Sequence, residues 1–151
     1  MANRNEEFEP LWGPDGVVCH AVEDTIRLGV WLASEIGTGS VVSLEGPLGA
    51  GKTQLTKGLV AGLGSPDAVT SPSFALVHEY SGGEITVFHF DFYRMESAAE
   101  LDTTGYDDCL AAGITIIEWG NKFPEVLPPG TIRIRVEILP GGGRRIRAER
   151  L

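Results

Sequence analysis

Apolar and polar positions recur along the 151-residue chain with several distinct periods, and each period predicts an element. Between Asp24 and Gly37, Leu28, Trp31, Leu32 and Ile36 fall at i, i+3, i+4 and i+8, one face of an α-helix. Asp24 or Thr25 is placed to cap that helix, Gly37 to end it, and Trp31 reads as core. The run Val41, Val42, Ser43, Leu44 has the short apolar character of a buried strand. A glycine-rich octet, GPLGAGKT at 46–53, comes next, and then Leu55, Leu59 and Leu63 repeat every four residues as far as Gly64. The order is strand, loop, helix. Further on, Phe74 to Tyr80 and Glu84 to Phe90 read as strands, with Gly82 and Gly83 forming the tight turn of a hairpin. GITIIE reads as another apolar strand, ending at Glu118. In TIRIRVEIL, Ile132, Ile134, Val136 and Ile138 line one face, Arg133, Arg135 and Glu137 the other, and PGGG turns the chain into a last basic strand or tail over 140–151. Together these elements predict an α/β fold, a single three-layer domain over 1–151 with a mixed sheet, parallel in part and antiparallel in part.

Composition narrows what such a domain does. A hydrophobic content of 42% over this length supports one well-buried core and is too little chain for two ordinary domains. No stretch reaches the roughly 20 apolar residues of a membrane span, and the polar, acidic start MANRNEEFEP does not read as a secretion signal. Residues 1–15 are expected to be a flexible lead-in. The expectation is a soluble, cytoplasmic protein with no membrane role, in which Cys19 and Cys109 are reduced thiols. The formal charge of -9 is uneven, because from Thr131 onward Arg outnumbers Glu six to two while the preceding residues are strongly acidic. So acidic a surface is a poor grip on nucleic acid by itself, and RNA, if involved, is expected to be held through a partner. The basic segment GGGRRIRAERL is either a docking patch or an edge strand guarded by charge.

The octet then acquires chemistry from its context. Gly46, four residues, Gly51, Lys52 and Thr53 give the spacing of a phosphate-binding P-loop, between a strand and a helix as that loop requires. Glycines allow successive backbone N–H groups from Gly49 to Thr53 to point into one concave nest, and the helix start adds the positive end of its dipole. Lys52 can reach the β- and γ-phosphates, and the Thr53 hydroxyl is placed to ligate Mg²⁺. Such a loop needs an acidic partner at the end of a neighbouring strand, and two residues qualify: Asp91, closing ITVFHFD, and Glu118. Both are candidates for catalysis and for the metal. Thr70, Ser71 and Ser73 flank Pro72, either as a switch segment that senses the γ-phosphate or as an ordinary Ser/Pro turn. His78 and His89 show no metal-ligand spacing and read as structural, and His20 has no evident role.

The segments GPLGAGKTQL, VTSPSFALVHEY, FHFDFYR and IIEWG, in this order and at these separations, resemble the bacterial tRNA threonylcarbamoyladenosine biosynthesis ATPases of the TsaE type over roughly residues 18 to 139. The resemblance implies a small P-loop ATPase using ATP and Mg²⁺. It also implies work with TsaB and TsaD proteins, which transfer a threonylcarbamoyl group to N6 of adenosine 37 in tRNA, the ATPase resetting or activating them. By match, the nucleotide and metal would meet Gly49, Ala50, Gly51, Lys52, Thr53 and Gln54, with Asp91, Glu118 and Trp119 beside them and Thr70 and Ser73 in the switch-like loop. Three departures from the family pattern stand out. Pro47 replaces a common Asp, Ser73 stands where Thr is usual, and GNKFPEVLP follows Trp119 in place of a more usual Pro- or Ala-containing continuation. Trp119 reads equally as a buried aromatic cover.

Other classes of function are weaker. A GTPase needs Asn-Lys-x-Asp, and NKFP at Asn121 puts Pro124 where the Asp belongs. A small-molecule kinase brings an Arg-bearing lid, yet between Thr53 and Gly130 the single Arg is Arg94. A module that binds ATP without turning it over is the non-enzymatic alternative.

Overall fold

A computed structural model describes residues 4–70 and 76–151. A short helix α1 (Arg4–Phe8) and a 3-10 turn (Glu9–Trp12) lead into β1 (Val17–Cys19), α2 (Val22–Glu35), β2 (Val41–Glu45) and α3 (Lys52–Gly62). Then come β3 (Val77–Tyr80), β4 (Val87–Asp91), α4 (Tyr106–Ala112), β5 (Ile114–Glu118), β6 (Ile132–Ile138) and β7 (Arg144–Arg150). The seven strands make one sheet in the order β1-β7-β6-β2-β5-β4-β3. Its centre is parallel, with β2 between β6 and β5, and β4 beyond β5. The pairs β1–β7, β6–β7 and β3–β4 are antiparallel, so the sheet is mixed as the sequence predicts.

Alternation along the central strands builds two cores. Val42, Leu44, Ile114, Ile116, Ile132 and Ile134 gather with Leu28 and Leu32 of α2 and Leu55 and Leu59 of α3. On the opposite face Val41, Phe90 and Ile117 gather with Phe92, Met95, Leu101 and Tyr106. Helices α2 and α3 approach closely because their contact is glycine-rich: a Cβ on Gly58 would lie 2.0 Å from the Ile26 carbonyl oxygen, and one on Gly29 would lie 2.3 Å from that of Leu55. That fit fixes the N-terminus of α3, and with it the loop after β2.

Several elements depart from the pattern-based expectation. Helix α2 starts at Val22, before both expected caps; Asp24, in its first turn, instead accepts a hydrogen bond from the Ala21 N–H at 3.1 Å. The helix stops at Glu35 rather than Gly37, whose N–H turns to the Ser40 hydroxyl. The turn between β3 and β4 is not a tight two-glycine hairpin. It runs over residues 81–86 and is held to the end of α3 and the loop after it, the Glu84 N–H donating to the Leu63 carbonyl and the Ser81 N–H to Asp67. Phe74, the expected first residue of the β3 strand, lies outside the described residues. Residues 4–12 of the expected flexible lead-in form helical turns with Phe8 and Leu11 buried. The basic segment is a strand but not an edge strand, since β7 lies between β6 and β1.

Candidate functional site

The loop after β2 curls because glycines occupy positions that other residues resist. Gly49 and Gly51 have φ of 79° and 108°, in the left-handed region, and a Cβ on Gly46 would lie 2.6 Å from the Val136 carbonyl oxygen of neighbouring β6. The Ala50 N–H bonds the Pro47 carbonyl, the turn passes through Gly51, and α3 begins at Lys52. The first N–H groups of α3 have no carbonyl partner within the helix, and Lys52, Thr53 and Gln54 stand in its first turn, an arrangement suited to an anion.

Lys52 is 7% exposed. Its ammonium donates to the Gly46 carbonyl at 2.9 Å and sits 4.6 Å from the centre of the Trp119 ring. Burial pushes its pKa below the usual lysine value, while Glu118 and Asp91 pull it back up. Trp119 is held over it by a left-handed backbone with φ of 61°, and Tyr93 packs against the indole at 5.0 Å. It is the single non-glycine with positive φ among the described residues, a conformation that costs of order 1 kcal/mol or more. The chain after it, GNKFPEVLP, forms 3-10 turns at Gly120–Lys122 and Pro124–Val126, with Phe123 against Phe92.

Facing this cationic wall is an acidic one. Parallel pairing of β4 and β5 sets Asp91 directly beside Glu118 at the C-terminal ends of both strands. The Tyr93 N–H donates to Asp91 at 2.9 Å, yet burial, aided by Glu118, holds the Asp91 carboxyl above the ordinary carboxylate range. Glu118, only 5% exposed, meets His89 Nε2 at 2.9 Å. His89 Nδ1 lies 3.2 Å from the Tyr80 hydroxyl, which donates to the Thr70 carbonyl at 3.0 Å. His89 is thus more than core filling: it backs one of the two candidate acids. The signal for it lies in strand parity, because His89 and Asp91 share one face of β4.

A cleft of about 800 Å³ opens between the walls, lined by residues 49–54, Asp91, Glu118 and Trp119 among others. Thr70 is exposed and does not line it; its link to the site is the carbonyl bond to Tyr80. Ser73 and Ser71 lie outside the described residues. Two arginines reach the cleft, not one. Arg94 is joined by Arg144, whose Nε donates to the Ala50 carbonyl at 3.0 Å and whose Nη2 donates to that of Gly49 at 3.2 Å. Ninety-odd residues separate Arg144 from the loop, and only the folding back of β7 joins them. Cys19, His20 and Ala21 also line the cleft.

The family model for "Threonylcarbamoyl adenosine biosynthesis protein TsaE" matches residues 19–146. The chain belongs to the TsaE family. It is 38% identical over 130 residues to the tRNA threonylcarbamoyladenosine biosynthesis protein TsaE of Treponema pallidum, covering 85% of this chain and 96% of that one. It is 37% identical over 116 residues to the protein of the same name from Bacillus subtilis, covering 76% and 72%. The crystal structure of Bacillus subtilis YdiB superposes with a TM-score of 0.69 at 32% identity, over 85% of this chain and 80% of that one. The TsaE match therefore spans the glycine loop, both acids, Trp119 and Arg144.

The residues present fit Mg²⁺ in a particular way. Two adjacent carboxylates, one of them raised in pKa by burial and by its neighbour, gain from a cation beside them. Among the described residues no cluster of three or more His, Cys, Asp or Glu could hold a metal ion by itself. Mg²⁺ bound through one or two carboxylates, a hydroxyl, phosphate oxygens and water needs no such cage. No helix among the described residues is long and apolar enough to cross a membrane.

Proposed function

We propose that this protein binds ATP with Mg²⁺ and hydrolyses it slowly, as the ATPase of the cytoplasmic machinery that makes N6-threonylcarbamoyladenosine in tRNA, resetting or activating a TsaB–TsaD complex. The observation that carries this reading is the meeting of Lys52 and the α3 N-terminus with Asp91 and Glu118 across one cleft. Backbone N–H groups of the loop and the Lys52 ammonium hold the β- and γ-phosphates. Thr53, with Asp91 or Glu118, would hold Mg²⁺, which neutralises phosphate charge when bound. Glu118, fixed by His89, is oriented to take a proton from an attacking water. Trp119 covers Lys52 and keeps bulk water away from it. Arg144 spends its donors on loop carbonyls, so it braces the cradle rather than reaching a transferring phosphate.

Slow turnover of the isolated protein is expected, because Arg144 is engaged with the loop and Arg94 is the one other arginine of the described residues that lines the cleft. An arginine supplied by a partner is worth about 10³ to 10⁵ in rate in P-loop proteins. The isolated protein is expected to bind ATP at micromolar levels and turn over less than about once per minute, against roughly 10 per second for a typical enzyme. Names carried by relatives place them in tRNA threonylcarbamoyladenosine biosynthesis, and tRNA would be held through the partners, given the acidic surface here. The test is a reconstitution with TsaB, TsaD, tRNA and threonylcarbamoyl adenylate, counting modified tRNA per complex. Repeated cycles should require this protein and fail with Lys52→Ala. Equal cycling with wild type, with Lys52→Ala or with the protein left out would refute the role.

A further inference from the structure

We infer that His89 is a positioning residue for Glu118, and that Tyr80 holds the His89 ring in place by tying it to the backbone at Thr70. The inference rests on the ATPase reading above and assigns to it a part that neither the family match nor the loop motif supplies. Three consecutive polar groups, Tyr80, His89 and Glu118, stand on three adjacent strands, β3, β4 and β5, and form one line across the sheet. His89 is fully buried and both ring nitrogens are engaged. An apolar residue at position 89 would fill the same space without desolvating an imidazole, so packing alone does not explain the choice. What the imidazole adds is direction. With the Tyr80 O–H donating to the Thr70 carbonyl, the phenol oxygen accepts from Nδ1–H and stops the ring from turning, while Nε2 and one oxygen of Glu118 are held together by one further proton between them. A carboxylate aimed in this way keeps its geometry whether or not nucleotide is present, as preorganised groups do when they act on another residue rather than on substrate.

The test uses His89→Leu, His89→Gln and Tyr80→Phe in the full-length protein. In ligand-free wild type, nitrogen-15 NMR should find a His89 ring N–H protected from exchange with water, and Tyr80→Phe should speed that exchange at least tenfold. In single-turnover hydrolysis of labelled ATP, His89→Leu should lower the rate at least tenfold and Tyr80→Phe about threefold. ATP affinity measured without Mg²⁺ should stay within twofold, while the Mg²⁺ concentration at half-maximal rate rises. His89→Gln, which keeps an N–H donor near the Nε2 position, should recover part of the loss, and a purely structural role would not give that recovery. Tyr80→Phe removes one hydroxyl and carries the test if His89→Leu does not fold. With wild type active, a folded His89→Leu that matches it in rate and Mg²⁺ midpoint, or a Tyr80→Phe that matches it where His89→Leu does not fold, would overturn the positioning role alone. A wild type that neither binds nor hydrolyses ATP would overturn the nucleotide reading, and this inference with it.

Discussion

The two walls of the cleft are built by opposite means. The cationic wall is nearly contiguous: residues 46–54 supply the glycines, the N–H groups, Lys52 and Thr53, and one helix start orients them. Part of its positive character comes from backbone at the helix start, which does not depend on side-chain rotamers. The acidic wall joins β3, β4 and β5, and its carboxylates are set by strand register and by side-chain hydrogen bonds through His89. Helix packing therefore governs the first wall, and sheet pairing with a buried polar line governs the second. Changes to α2 and α3 should disturb phosphate binding, whereas changes to the sheet ends should disturb turnover while leaving binding largely in place.

The largest expected effect separates the walls by chemistry. Glu118→Gln and Asp91→Asn keep size and most packing while removing charge, so Mg²⁺-dependent turnover should fall about a hundredfold for the more critical acid. Thermal melting should change little. Normal turnover in both variants would mean that these strand ends simply meet solvent. Next comes Gly58→Ala, which puts a methyl group where the Ile26 carbonyl oxygen lies 2.0 Å away. The two helices must separate, and stability in a urea titration should drop by about 2 kcal/mol. Unchanged stability would mean that α3 is not set by α2. The smallest effect tests the one distant part of the cationic wall. Arg144→Ala removes two donors from the carbonyls of Gly49 and Ala50. ATP affinity should weaken about threefold, roughly 0.7 kcal/mol. A fall of a hundredfold would show Arg144 gripping nucleotide rather than bracing the loop.

The same contrast explains what could be read from the residues. The curled glycine loop and the helix start after it were legible because their shape lies in local spacing, glycine by glycine. Asp91 and Glu118 were legible as ends of apolar runs, though their adjacency depends on parallel register, which no single strand encodes. His89 was hidden because a histidine inside FHFDFYR looks like core until β5 lies beside it. Arg144 was hidden by its distance along the chain from the loop it braces. The expected two-glycine hairpin gave way to a longer turn because Glu84 found a partner at the end of α3 and Ser81 one in the loop after it, contacts that arise only on folding.

The central claim is that the two walls make one Mg²⁺·ATP site. Calorimetry of ATP binding, with and without Mg²⁺, in wild type and Lys52→Ala tests it most directly. Wild type should bind at micromolar levels and more tightly with Mg²⁺, and Lys52→Ala should lose at least tenfold, about 1.4 kcal/mol, while remaining folded. Equal affinity in the two folded proteins, or no response of wild type to Mg²⁺, would contradict it.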